Sequence, residues 1–196
     1  MRDRGLMIFA ILAGFLLCGS ATASDPRNPS MLGNTCAGCH GTNGASGGGA
    51  MPNIGGLDKL YLQEVLKQFK SGARDSTIMG RIMRGYSDLE INAIASFMAR
   101  QEWVPASFSE NSGQIAEGGK IHASSQCDTC HKNDGRFQND YTPRLAGQWP
   151  EYLYNMLAIF HDIGSPASQP AEMRKRVQKL SQEEIEAVAN FYAAQR

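Results

Sequence analysis

The chain has 196 residues and carries 19 basic and 19 acidic side chains, so its formal net charge is zero at pH 7. This balance excludes the strongly basic surface that nucleic-acid-binding proteins use, and no nucleic-acid partner is expected. The four cysteines beyond the N-terminal segment stand in two identical motifs, which leaves no cysteine for a disulfide framework.

The N-terminal segment, residues 1–23, predicts an export signal. Arg2 and Arg4 precede an apolar run over residues 6–18, and Ala21-Thr22-Ala23 supplies a small-residue cleavage site. The mature chain is then expected to start near Ser24 in the periplasm. The apolar run is shorter than the roughly 20 residues that span a bilayer, so no permanent membrane span is expected. An uncleaved signal that anchors the chain is the alternative.

The pattern Cys-x-x-Cys-His occurs twice, as Cys36, Cys39 and His40 and as Cys127, Cys130 and His131. It is typical of c-type haem attachment, in which two thiols add to the haem vinyl groups and the adjoining histidine becomes the proximal iron ligand. The sequence therefore predicts two covalently attached c-type haems. A shared zinc ion or a redox dithiol also uses paired cysteines, but neither requires a histidine after both pairs.

A repeat relates the two halves of the chain. Residues that match at an offset of 91 positions are Pro52 and Pro143, Gly56 and Gly147, Tyr61 and Tyr152, and Phe69 and Phe160. After a three-residue insertion the offset becomes 94, which pairs Met79 with Met173 and Ser87 with Ser181. We expect two copies of one small domain, over residues 24–105 and 113–196. The Pro- and Ser-containing stretch 104–113 predicts a surface connection between them.

Apolar periodicity predicts that both copies are entirely helical. Apolar side chains recur at helical spacing over residues 57–69 and again over residues 152–160. The last helix of each copy begins with a capping-box pattern, Ser87 with Glu90 and Ser181 with Glu184. Apolar residues then follow at the spacing of a buried helix face.

Met79 and Met173 are the candidate sixth ligands of the two irons, because they occupy equivalent places before the final helices. A loop there can reach over the distal haem face. Met83 is a competitor, but its repeat position is Val177. Bis-histidine ligation through His122 and His161 is less favoured because these residues are not equivalent, and packing or surface roles are expected for them.

Two six-coordinate haems favour electron transfer, and the sequence shows no separate catalytic constellation, so an enzyme is not expected. A dihaem peroxidase-like catalyst is the alternative, and it requires one haem to lose its distal ligand. The run Arg174-Lys175-Arg176 beside Met173 could steer an acidic partner. A solvated helix face is the other interpretation of this run.

The stretches "NTCAGCHGTNGAS", "FKSGARDSTIMGRIMRGYSD" and "LAGQWPEYL" resemble the dihaem cytochrome subunit of flavocytochrome c sulfide dehydrogenase, and the resemblance extends over residues 34–194. It implies an all-α fold of two tandem class I cytochrome c domains related by a pseudo-twofold axis, with histidine and methionine at both irons. It also implies a flavoprotein (FAD) partner that oxidises sulfide, and a soluble cytochrome or oxidase as electron acceptor. Free-standing dihaem shuttles of class I are similar in architecture and remain the alternative.

Overall fold

Helices and turns make up the part of the chain that the computed structural model describes, residues 28–162 and 170–196, and no strand occurs there. This confirms the predicted all-α fold class. The predicted export signal, residues 1–23, lies outside the described residues.

Each half of the chain contributes five helices within the described residues. The first half contains α1 (Pro29–Asn34), α2 (Ala37–His40), α3 (Lys59–Ser71), α4 (Met79–Met83) and α5 (Asp88–Ala99). The second half contains α6 (Ser112–Ser124), α7 (Lys132–Gly135), α8 (Pro150–His161), α9 (Ala171–Val177) and α10 (Gln182–Ala194). The predicted periodic segments correspond to α3 and α8.

Side-chain caps fix where α3, α5 and α10 start. Asp58 accepts hydrogen bonds from the amides of Leu60 and Tyr61 at 2.8 and 3.0 Å, and this caps α3. Both predicted capping boxes are confirmed, since Ser87 and Ser181 each exchange hydrogen bonds with the glutamate three residues later. These reciprocal bonds satisfy amide groups that the first turn of a helix leaves free.

Each half has its own apolar core, built on its last helix. The first core contains buried Leu32, Leu57, Leu62, Ile94, Ala95 and Met98. The second contains buried Ile121, Leu153, Leu157, Val177, Ile185, Ala187, Val188, Ala189, Phe191, Tyr192 and Ala193. The predicted apolar faces of α5 and α10 are thus the centres of the two cores.

Glycines let the first helix of each half cross the last one closely. A Cβ placed on Gly33 of α1 would lie 2.1 Å from the ring of Phe97, and one on Gly118 of α6 would lie 2.1 Å from the carbonyl oxygen of Ala187. Phe97 and Phe191 are equivalent in the repeat, and a Cβ on Gly118 would also lie 2.7 Å from Phe191. The same close crossing therefore organises both halves.

Two glutamines of the second half bind the backbone of the first. The side chain of Gln148 accepts from the amide of Asn53 at 2.8 Å and donates to its carbonyl oxygen at 2.9 Å. Gln138 accepts from the amide of Asp58 and donates to the carbonyl of Gly56, both at 3.0 Å. Gln148 and Asn53 are 3% and 2% exposed. Because buried hydrogen bonds are costly to leave unmade, these contacts hold the halves in one arrangement.

The connection between the halves is only partly on the surface, contrary to the prediction from its composition. Ala106 is 2% exposed, and its amide donates to the carbonyl of Gly147 at 2.7 Å. The side chain of Asn53 donates to the carbonyl of Val104 at 2.8 Å. The linker backbone can be buried because polar groups of both halves satisfy it.

Among the described residues, no helix is both long and apolar enough to cross a membrane.

Candidate haem-binding sites

The first Cys-x-x-Cys-His motif forms a single helical turn with its histidine turned inward. Cys36 caps α2, and Cys39 and His40 lie within it. His40 is 7% exposed, and its Nδ1 lies 2.9 Å from the carbonyl oxygen of Pro52. A carbonyl only accepts, so Nδ1 carries the proton and Nε2 keeps its lone pair. This is the tautomer that a metal-ligating histidine needs.

Burial keeps this site uncharged before any cofactor is attached. Desolvation lowers the pKa of His40, although the hydrogen bond to Pro52 opposes the shift. Desolvation also raises the pKa of the Cys36 thiol, against a hydrogen bond from Thr35. Neutral imidazole is the ligating form of histidine, so burial favours the state that binds iron.

The second motif lies at the equivalent place in the second half, but its local structure differs from that of the first motif. Cys127 opens a 3-10 turn, Cys127–Thr129, and His131 is 7% exposed. Burial lowers the pKa of His131 to about 4, with a further contribution from nearby His122. The Nδ1 atom of His131 is buried and has no hydrogen-bond partner among the described residues. The histidines of the two motifs therefore differ in the contact that their Nδ1 atoms make.

The arrangement of the motifs fits two covalent haems better than a zinc ion. The four cysteines of the two motifs are free thiols. Within residues 28–162 and 170–196, no group of three or more His, Cys, Asp or Glu side chains could hold a metal ion. The buried indole nitrogens of Trp103 and Trp149 also lack acceptors in that part of the chain. Haem fits this donor set, because it takes two thiols and one neutral imidazole and brings carboxylates of its own.

The candidate distal methionines lie on short helices, and the prediction that they lie in loops was wrong. Met79 is the first residue of α4, where the amide of Gly80 donates to Oγ of Ser76 at 2.7 Å. Met173 is the third residue of α9 and packs against the second core. The Ser76 hydroxyl satisfies an amide in the first turn of α4, whereas α9 begins after Pro170 without a side-chain cap.

Met83, the competing candidate, is 2% exposed, whereas Met79 is half-buried. Such burial is typical of a methionine that fills a gap in a core. The choice of Met79 remains a prediction.

Among the described residues, a buried histidine–tyrosine pair is present in the second half and not in the first, and sequence reasoning missed it. Nδ1 of His122 lies 2.8 Å from the hydroxyl oxygen of Tyr192, and both side chains are buried. The Tyr192 ring also packs edge-on against His131, with centroids 6.0 Å apart. His122 and Tyr192 replace Met31 and Met98 of the first half, so a paired substitution in the repeat was the available signal.

The predicted roles of the two other histidines are clearer in the structure. Of the two roles expected for these histidines, surface or packing, His122 has the packing one, since it is buried against Phe191 and Tyr192. His161 ends α8 and is partly exposed.

The basic run beside Met173 is mostly engaged within the chain. Arg176 donates from Nη1 to the carbonyl of Ser125 at 2.9 Å and to Oε1 of Gln126 at 3.3 Å. Lys175 pairs with Glu172 at 2.9 Å. Burial raises the pKa of the Cys127 thiol, and the charge of Arg176 opposes the rise. Arg176 is therefore part of the haem-motif environment, in addition to its position in a charged run.

Comparisons with known proteins agree with this geometry. The family model described as cytochrome c matches residues 30–102, and the model for subunit III of cbb3-type cytochrome c oxidase matches residues 113–191. Cytochrome c-554(548) of Halomonas halodenitrificans is 34% identical over 71 residues, which cover 35% of this chain and 86% of that protein. The chain belongs to the cytochrome c family.

Two further relatives of this cytochrome c are named for a thiosulfate dehydrogenase and a sulfide dehydrogenase. The thiosulfate dehydrogenase electron acceptor of Stutzerimonas stutzeri is 28% identical over 93% of this chain and 91% of its own length. The cytochrome subunit of sulfide dehydrogenase from Chlorobaculum tepidum is 45% identical, but over 67 residues that cover 34% of this chain and 60% of that protein. The resemblance to that subunit, expected over residues 34–194, is thus shorter in this comparison.

Solved structures show the same fold. Reduced cytochrome c4 from Pseudomonas stutzeri superposes with a TM-score of 0.78 at 24% identity and covers 89% of this chain and all of that one. Thiosulfate dehydrogenase from Marichromatium purpuratum gives a TM-score of 0.73 at 22% identity over 87% of this chain, which spans 39% of that protein. This protein is therefore a dihaem cytochrome c with two c-type haems, and it carries electrons.

Proposed function

We propose that this dihaem cytochrome c is an exported electron acceptor for a dehydrogenase that oxidises an inorganic sulfur compound, with thiosulfate dehydrogenase as the donor. The observation that carries the proposal is the match over almost the whole of both chains to a thiosulfate dehydrogenase electron acceptor. The predicted export signal, residues 1–23, supports a periplasmic location. The first domain then covers residues 24–105 and the second residues 113–196.

The residues of each site take distinct roles in this proposal. The covalent attachment points are Cys36 and Cys39 for the first haem and Cys127 and Cys130 for the second. His40 and His131 are the proximal ligands, and Met79 and Met173 are the distal ligands. Each haem, when bound, supplies an iron that changes between the ferric and ferrous states.

The protein contributes orientation and rigidity. The hydrogen bond from His40 to Pro52 fixes the tautomer and the ring plane at the first site. The buried contacts of Gln148 and the partly buried contacts of Gln138 hold the two sites at one separation. Fixed ligands and a fixed separation keep structural change small when charge moves, which suits electron transfer.

A second candidate donor is a flavoprotein (FAD) sulfide dehydrogenase. The 45% identity to a sulfide dehydrogenase cytochrome subunit over 67 residues favours it. In either case the electrons pass to a soluble cytochrome or to an oxidase. The fold similarity to cytochrome c4 also fits a free shuttle without a permanent partner.

The deciding experiment begins with gentle purification from the periplasm of the native host and an absorption spectrum for flavin and haem. The purified cytochrome is then mixed with catalytic amounts of thiosulfate dehydrogenase and thiosulfate, or of the flavoprotein and sulfide, and the haem α-band is followed. Rapid reduction with thiosulfate alone supports the proposal. Co-purified flavin with sulfide-driven reduction favours the second candidate, and reduction by neither pair favours the free shuttle.

A further inference from the structure

Arg176 connects two parts of the second domain that are far apart in sequence. Its guanidinium donates to the carbonyl of Ser125 and to the side chain of Gln126, at 2.9 and 3.3 Å. These two residues directly precede Cys127, the first residue of the second haem motif. Charge-assisted hydrogen bonds of this kind are stronger than neutral ones.

The helix that carries Arg176 also carries Met173, one turn earlier. Both residues belong to α9, and Val177 at the end of that helix is 4% exposed in the second core. Because α9 is a single short helix, its position and the position of Met173 change together. Arg176 therefore ties the segment with the candidate distal ligand to the segment where the haem is attached.

The first domain connects the corresponding two segments with different residues. Ile82 stands at the place of Arg176 in the repeat, and Thr35 stands at the place of Gln126. There the hydroxyl of Tyr86, which follows α4, lies 2.9 Å from Oγ1 of Thr35. Each domain thus has one hydrogen-bonded tie from the methionine side to the residue before its first haem cysteine.

We propose that Arg176 is the positioning residue that keeps the crevice of the second haem closed, by holding α9 against Ser125 and Gln126. The inference rests on the proposed function in one respect, the assignment of Met173 as distal ligand. It differs from a merely structural role, in which Arg176 would only cap the carbonyl end of α6.

The test uses the purified dihaem protein and imidazole as a competing ligand for the ferric irons. Arg176→Gln is expected to speed imidazole entry at the second haem roughly tenfold or more, as for the loss of a charged hydrogen bond, and to leave the first haem unchanged. Lys175→Gln is the matched control, since it removes a cation from the same helix whose ion-pair partner within the described residues is Glu172, and no change is expected. Arg176→Lys should have an intermediate rate.

Tyr86→Phe provides the crossed experiment, since it should speed entry at the first haem and leave the second unchanged. The inference is overturned if Arg176→Gln lowers thermal stability without changing the entry rate, because a helix cap would do the same. If Arg176→Gln does not fold, Arg176→Lys carries the same test.

Met173→Ala separates failure of the inference from failure of the ligand assignment. If this variant opens the second haem to imidazole while Arg176→Gln does not speed entry, the inference is wrong and the assignment stands. If Met173→Ala leaves the second haem unchanged, the assignment is wrong and the inference falls with it.

Discussion

The two halves of this cytochrome have the same caps and apolar faces on their last helices, but the residues around their haem motifs differ. Their last helices share a capping box and an apolar face, with Ile91 and Ile185 both fully buried. At the histidines of the two motifs, His40 bonds to Pro52 whereas His131 lacks a partner for Nδ1 among the described residues. The comparison teaches that duplication preserved the scaffold and allowed the chemistry next to each iron to diverge.

The second half has more polar side chains around the histidine of its haem motif. His122 and Tyr192 form a buried hydrogen-bonded pair at the places of two methionines in the first half. The contacts around His131 consequently differ from those around His40, although both histidines end the same Cys-x-x-Cys-His pattern. Second contacts of this kind tune the iron without changing its ligands.

The largest expected effects come from the methionines. Met79→Ala and Met173→Ala should each open one haem completely to carbon monoxide, which an absorption titration of the reduced protein measures. Met83→Ala should leave both haems closed and lower the free energy of unfolding by about 2–5 kcal/mol, because it creates a cavity at a buried side chain. Carbon monoxide binding in Met83→Ala but not in Met79→Ala would contradict the ligand assignment.

The helix crossings give a sharper comparison of the two cores. Gly118→Ala should lower the free energy of unfolding by about 1–3 kcal/mol, since its Cβ meets a backbone carbonyl that cannot move alone. Gly33→Ala should cost less, because the Phe97 ring that it meets can shift. Denaturant unfolding measures both. Equal losses of unfolding free energy would show that the two helix crossings accommodate an added methyl group equally well.

Alkaline pH should lower the free energy of unfolding through the ionisation of Tyr152. Burial, and then the neighbouring Tyr61, raises the pKa of Tyr152 to about 12 from the ordinary value of 10.0. The unfolded chain therefore ionises first, and stability that is present below pH 10 is lost as the pH rises towards 12. Tyr152→Phe should reduce this loss, by up to about 2 kcal/mol.

Unfolding measured between neutral and strongly alkaline pH tests this expectation. Tyr141→Phe is the control, because Tyr141 is 83% exposed. A profile that Tyr141→Phe changes and Tyr152→Phe does not would refute the prediction.

The smallest effects are expected at the helix caps, where the halves are alike. Ser87→Ala and Ser181→Ala should each lower the free energy of unfolding by about 1 kcal/mol. The exposed Ser107 provides a control serine outside a cap. A large difference between the two cap variants would show that the scaffold has diverged as well.

Much of the fold was predictable because its signals are local. Capping boxes span four residues, and apolar faces repeat within one helix. Ser87 and Ile91 therefore predict α5 from the sequence alone. The burial of Ala106 and the bonds of Gln148 were not predictable, since their partners lie on the other half of the chain. The helices at Met79 and Met173 were also missed, because a turn of five to seven residues has too little periodicity to register.

The contact between Gln148 and Asn53 bears on what either half would be without the other. In the repeat, Leu57 is the equivalent of Gln148 and Arg144 is the equivalent of Asn53, so the contact joins two unlike surfaces. Two copies of one half could not form it. Either half, produced alone, would leave a polar group that is buried in the intact chain without its partner.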